Sequence, residues 1–172
     1  MFILLMGCDQ GADQTEANAD IEADSTSENR PVKEMKKVTG IGGIFFKAED
    51  PKMMKAWYQK NLGLKTDEYG TMFEFRLADE PEKKGYLQWS PFSKETKYFE
   101  PSKKEFMINY RVQNLDKLIE LLADEGIELV GKVERTDYGN FAHIMDPEGN
   151  KIELWEPIES DFTKDYEKEH EQ

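Results

Sequence analysis

Glu153 stands in the apolar run Lys151-Ile152-Glu153-Leu154-Trp155. A carboxylate among such neighbours is costly to bury without a partner. It is therefore expected to act as a metal ligand or general base, or to form a salt bridge with Arg111 or Arg76. His143, in Phe141-Ala142-His143-Ile144-Met145, lies one tight turn before it. Strand side chains alternate between faces, so His143 shares its face with Phe141 and Met145. If that face lines a pocket, His143 and Glu153 make an acid–base or ligand pair. If it does not, His143 is a rim or helix-facing residue satisfied by hydrogen bonds. Gln88 offers a neutral oxygen donor. Tyr110 and Arg111 alternate on one strand, so one of them faces inward, and an inward Arg111 would suit an anionic ligand. Asn140, just after the turn Tyr138-Gly139, is placed to reach the same site. Other chemistries lack their residues. Gly40-Ile41-Gly42-Gly43 falls inside a strand rather than between strand and helix, so it is no phosphate loop. The single cysteine, Cys8, excludes an intrachain disulfide and a thiolate-rich zinc site. His170 sits in a charged tail, where solvent exposure is expected.

These residues are positioned by an alternation of strands and two helices. Residues 38–48, rich in Ile and Phe, read as a buried strand. Asp50-Pro51 then supplies an N-cap and a first-turn proline for a helix over residues 51–61, with Met54, Trp57, Tyr58 and Leu62 on one face. Trp57, Tyr58 and Trp89 are expected in the core. Gly63 ends that helix, and strands are predicted over 65–69, 71–77 and 86–89. The order then repeats. A strand over 106–112 leads to Asn114, the cap of a helix carrying Leu115, Leu118, Ile119 and Leu122 at helical spacing. After Gly126 come strands over 128–133, 140–146 and 151–155, the last two joined by the turn Asp146-Pro147-Glu148-Gly149-Asn150. Gly63 and Gly126, 63 apart, and Gln88 and Glu153, 65 apart, keep a nearly constant offset, the signature of an internal repeat. The fold class expected is α+β: two βαβββ modules, 38–92 and 106–158, closing a cupped eight-stranded mixed sheet with helices outside. The linker of residues 90–105 carries Lys and Glu for the surface, but Pro91, Phe92, Tyr98 and Phe99 place it over something apolar.

Charge is unevenly distributed over the 172 residues. The net value is -13, with a pI near 4.7, which argues against nucleic-acid binding. Residues 1–37 hold 8 acids and 4 bases, and residues 159–172 hold 6 acids and 2 lysines, so the longer folded part, with 22 acids against 17 bases, carries a modest net −5 between two acidic ends. Residues 1–7 are apolar, and Leu5-Met6-Gly7-Cys8 resembles a bacterial lipobox, which makes Cys8 the expected lipidation site and the cell envelope the expected location. Only seven residues precede Cys8 and none is basic, fewer than a signal peptide has. The lipoprotein reading therefore expects a basic leader upstream, and a cytoplasmic protein with a stray apolar start is the alternative. Residues 8–37 contain almost no large apolar side chain and are expected to serve as a disordered tether. Residues 159–172 form an acidic tail.

The paired βαβββ order together with Asp-Pro-Glu-Gly-Asn-Lys-Ile-Glu-Leu at 146–154 resembles the vicinal oxygen chelate superfamily, which includes glyoxalase I, extradiol dioxygenases and bleomycin-binding proteins. The likeness spans roughly residues 38–157. It implies four inward positions for metal ligands, mapping here to Gly43, Gln88, Met107 and Glu153. Glu153 fits the family carboxylate and Gln88 is an acceptable oxygen ligand. Gly43 and Met107 do not serve a hard or borderline cation.

Three functions are consistent with these residues. The first is a domain binding a small apolar or aromatic molecule in the cupped sheet, without the usual metal quartet and without a cofactor. The second is a glyoxalase-type lyase or isomerase using a divalent metal on Glu153, Gln88 and His143, its ligand set completed across a homodimer. The third is an envelope-anchored interaction module with no catalysis. The expected partner of the first two is a small molecule, with the membrane reached only through the lipid anchor.

Overall fold

Extended, branched and aromatic residues open the folded part as β1, Val38–Ala48. The computed structural model describes residues 37–158; Cys8 and the acidic tether before that span lie outside the described residues, as do the acidic tail and His170. Helix α1, Pro51–Leu62, starts where expected: the Asp50 carboxylate accepts from the Met53 amide at 2.9 Å, and Gly63 closes the helix at φ 72°. Strands β2, Thr71–Arg76, and β3, Lys84–Ser93, follow as an antiparallel pair. Strand β4, Phe106–Val112, leads to helix α2, Leu115–Asp124, whose Asn114 cap accepts from the Lys117 amide. Strands β5, Glu134–Thr136, β6, Gly139–Met145, and β7, Lys151–Pro157, complete the series.

The seven strands form one mixed sheet in the order β2-β3-β1-β4-β7-β6-β5. At its centre β1 and β4 run antiparallel. Each has a parallel neighbour on its outer side, β3 beside β1 and β7 beside β4. Two expected strands are not formed as read. Residues 65–69 make no strand: they lead into a turn in which the Asp67 carboxylate accepts from the Tyr69 and Gly70 amides, a local bond that competes with ladder pairing. The sheet therefore has seven strands rather than eight. Residues 128–133 pair only through an isolated bridge, Leu129 with Ile144, and the short β5 begins after them.

The two helices cover the same side of the sheet unequally. Leu115, Leu118 and Leu122 of α2 are buried against Val112, Ala142, Ile144 and Leu154 in the main core. Helix α1 has no buried residue. Trp57, expected in the core, is 53% exposed, and Tyr58 makes the contact with the sheet, its ring 4.6 Å from that of Trp89. A second apolar cluster lies on the opposite face of the sheet. Phe45, Phe99 and Met107 are its buried members, with Phe92 and Tyr98 packed against them. Phe99 is 0% exposed although it belongs to the β3–β4 connection, so that connection crosses this face as a strap.

Candidate functional site

Strand register sets one row of residues across the sheet: Gln88, Gly43, Asn109, Glu153 and His143, on β3, β1, β4, β7 and β6 in turn. Alternation puts Glu153 on the face opposite the α2 core, together with Lys151 and Trp155. Its side chain is buried, at 2% exposure. Neither arginine expected as a partner holds it. Instead, Oε1 accepts from the Asn109 amide nitrogen at 2.7 Å, and Oε2 accepts from His143 Nε2 at 2.8 Å and from the Tyr98 hydroxyl. A carboxylate oxygen can only accept, so His143 Nε2 is the donor in that bond.

Electrostatics follow from this geometry. Burial pushes the Glu153 carboxyl up, but the bonds from His143, Tyr98 and Asn109 outweigh burial and leave it below the usual glutamate range. It is therefore a carboxylate at neutral pH. Burial, then the charge of Glu153 and its hydrogen bond, push the Tyr98 phenol far above the usual tyrosine range, so Tyr98 is a committed donor. Lys151 is drawn below the usual lysine range by burial, partly opposed by Glu153. Its ammonium donates to the Tyr98 carbonyl at 2.6 Å and stands 5.2 Å from the Tyr98 ring centroid.

The other expected site residues divide. Gln88 is in the row, but its amide donates to Ser90 Oγ at 3.0 Å, along its own strand. Three strand spacings, roughly 14 Å between backbones, separate it from Glu153, so the two do not come together. Tyr110 faces the other way, packed against the α2 core. Arg111 is the inward one of that pair, its guanidinium 5.1 Å from the Trp155 ring centroid. Asn140 donates to Glu156 Oε2 at 3.1 Å and takes no part in the Glu153 network. Arg76 donates to the Glu82 carbonyl.

Asn109, Tyr98 and Lys151 escaped the reading of the sequence. Asn109, not Met107, is the β4 residue beside Glu153; separately, the ladder between β1 and β4 shifts register between Ile41 and Gly43. That bulge turns both Gly42 and Gly43 toward Asn109. A Cβ on Gly42 would meet Asn109 Oδ1 at 2.3 Å and Trp155 Cε3 at 2.6 Å, and one on Gly43 would meet the Phe45 ring at 2.7 Å. The parity of Asn109 with Arg111 was the available signal. Nothing in sequence spacing points to Tyr98.

Could the row hold a divalent metal? Gly43 brings no donor, and both Glu153 oxygens are committed to Asn109 Nδ2, His143 and Tyr98; Asn109 Oδ1, buried without a hydrogen-bond partner, is a single neutral oxygen. Among the described residues no group of three or more His, Cys, Asp or Glu side chains is placed to hold a metal ion. The residues do not fit the four-ligand set. The Tyr98 hydroxyl covers the carboxylate. A cleft of about 250 Å³ is lined in part by Thr39, Asp79, Arg111, Gln113 and Glu156.

Residues 40–154 match the family model described as Glyoxalase/Bleomycin resistance protein/Dioxygenase superfamily. Among solved structures, a variant of Streptomyces coelicolor methylmalonyl-CoA epimerase in complex with 2-nitronate-propionyl-CoA is 16% identical, with a TM-score of 0.52. The match covers 70% of this chain and 96% of that one. A methylmalonyl-CoA epimerase in complex with methylmalonyl-CoA and NH4+ is 16% identical over the same shares, with a TM-score of 0.51. The epimerase from Mycobacterium tuberculosis is 23% identical, with a TM-score of 0.47, over 72% of this chain and 91% of that one. At these identities the likeness is one of fold. No curated protein matches the chain.

Proposed function

The chain belongs to the Glyoxalase/Bleomycin resistance protein/Dioxygenase superfamily, and from that premise we propose that it is a binding domain for a small polar molecule, held in the cleft beside Arg111. The observation carrying this reading is the separation of the Glu153 network from the cleft. The carboxylate is covered and fully hydrogen-bonded, and the lining of the cleft includes neither Glu153 nor His143. At about 250 Å³ the cleft falls just below the range of roughly 300–1,000 Å³ usual for ligand sites, which favours a small ligand. The lining carries Arg111 and Lys83 together with Asp79, Glu80 and Glu156, so a molecule with both acceptor and donor groups matches it better than a purely apolar one. A metal-dependent lyase is the weaker reading, because Glu153 and His143 are bonded to each other and Gln88 lies apart from them.

The test uses the purified full chain. L-Amino acids and small dicarboxylates are screened by ligand-observed NMR. Binding is expected to shift the amides of Thr39 and Gln113 and to vanish in Ala78→Trp, which fills the cleft from an exposed loop position. Stripping with a chelator is expected to leave both the binding and the melting temperature unchanged. Stoichiometric zinc, nickel or iron that disappears in Glu153→Gln would overturn this reading in favour of the enzyme.

Placement on the cell envelope through a lipid on Cys8 belongs to the same proposal. It rests on the apolar run before Cys8 and the acidic segment after it. Incorporation of labelled palmitate in a bacterial host by the protein expressed with the basic leader that this reading expects upstream, absent from Cys8→Ser, is the expected result, and an unlabelled protein would refute it.

A further inference from the structure

The ring of Tyr98 is boxed in by groups that do not belong to its own strap. Phe92 of β3 stacks on it with centroids 5.5 Å apart and planes 2° from parallel. His143 of β6 meets it edge to face at 5.7 Å and 89°. The Lys151 ammonium of β7 stands 5.2 Å from its centroid, and Glu153 of the same strand accepts its hydroxyl. Stacking, a cation near the ring and a charged acceptor for the hydroxyl together recognise a phenol. We propose that this box is a binding site for hydroxyaromatic molecules and that Tyr98 occupies it in cis, competing with a free ligand for Glu153.

The strap is built so that Tyr98 can leave alone. Its neighbour Phe99 is fully buried and Ser102 Oγ donates to the Gly149 carbonyl at 2.6 Å, which pins the segment to the sheet on the far side of Tyr98. Tyr98 itself is only half-buried. Its amide is satisfied locally by Thr96 Oγ1, so an outward swing of the side chain breaks no strand pairing. The box is separate from the cleft, whose lining includes neither Tyr98 nor Glu153. The inference therefore stands apart from the cleft reading.

p-Cresol, the tyrosine side chain as a free molecule, is the probe. It is titrated by calorimetry into the full-length wild type, Tyr98→Phe and Tyr98→Ala. A self-occupied site weakens apparent affinity by the fraction of molecules with the ring out. Tyr98→Ala is therefore expected to bind on the order of tenfold or more tightly than the wild type. Tyr98→Phe keeps the ring packing but loses the hydroxyl bond, and should fall between them. Toluene should bind Tyr98→Ala at least about tenfold more weakly than p-cresol, since it leaves Glu153 short of a donor. Ala78→Trp, which fills the cleft, should not alter p-cresol binding, so failure of either reading is seen separately. Equal affinity in the wild type and a folded Tyr98→Phe would overturn the proposal, as would absence of binding to all three proteins.

Discussion

Replacing Glu153 with Ala is expected to lower the unfolding free energy by about 3–5 kcal/mol, since it takes the acceptor from three side-chain donors at about 1–3 kcal/mol each. The carboxylate is 2% exposed and accepts from three separate side chains. Its removal strands the Asn109 amide, the Tyr98 hydroxyl and His143 Nε2 without water to receive them. Glu153→Gln keeps the shape but turns an amide donor toward groups that are already donors, and should cost about 1–3 kcal/mol. Urea denaturation at pH 7 measures both, and a Glu153→Ala protein within about 1 kcal/mol of the wild type would contradict the network's role. The pH dependence has a definite sign. The Glu153 carboxyl lies below its ordinary range in the folded state, so the folded state binds fewer protons than the unfolded chain. The stabilisation from this group is complete above the ordinary glutamate value of about 4.3 and is lost as pH falls through the lower folded value. The stability gap between the wild type and Glu153→Gln should therefore narrow from pH 7 to pH 3.

Gly42→Val should be the next most damaging change, at about 3 kcal/mol, the upper end of the overpacking range. Because β1 bulges at this point, Gly42 faces the inner row, where a Cβ would lie 2.3 Å from Asn109 Oδ1 and 2.6 Å from the Trp155 ring. Neither can give way cheaply. Asn109 is tied to Glu153, and Trp155 lies between the Arg111 guanidinium and the stacked Phe141 ring. Displacing Asn109 would also remove one of the three donors to the carboxylate. In a double-mutant cycle the costs of Gly42→Val and Glu153→Gln are then expected to be non-additive, the pair costing less than the sum. Full additivity would show that the glycine matters only for packing.

What could be read in advance follows physical lines. Helix starts and stops were legible because Asp50-Pro51, Gly63 and Asn114 act over a few residues, and the structure uses each of them as read. The resemblance implied an inward Glu153, and alternation along β7 puts it on the face opposite the α2 core. The predicted strand over 65–69 failed because Asp67 closes a local turn, and no hydrophobic pattern reports that competition. Met107 stands where a constant offset from Gly43 falls, but the pairing of β4 with β7 puts Asn109, two residues on, beside Glu153, and an offset carries no information about that register. Tyr98 was out of reach for a different reason. It lies in a segment without periodicity, whose Phe92, Tyr98 and Phe99 place it over something apolar, but only tertiary structure shows which of these side chains reaches Glu153.

The order of strands also governs how the domain assembles. Hairpin-like neighbours occur only toward the flanks, as β2 with β3, β5 with β6 and β6 with β7. Both pairings that β1 makes at the centre are distant along the chain, Gly43 with Gln88 and Ile44 with Ile108. The middle of the sheet cannot zip up from adjacent turns. It must wait for long loops to close before any burial rewards them. High contact order of this kind puts refolding toward the slow side of the microsecond-to-second span of small domains.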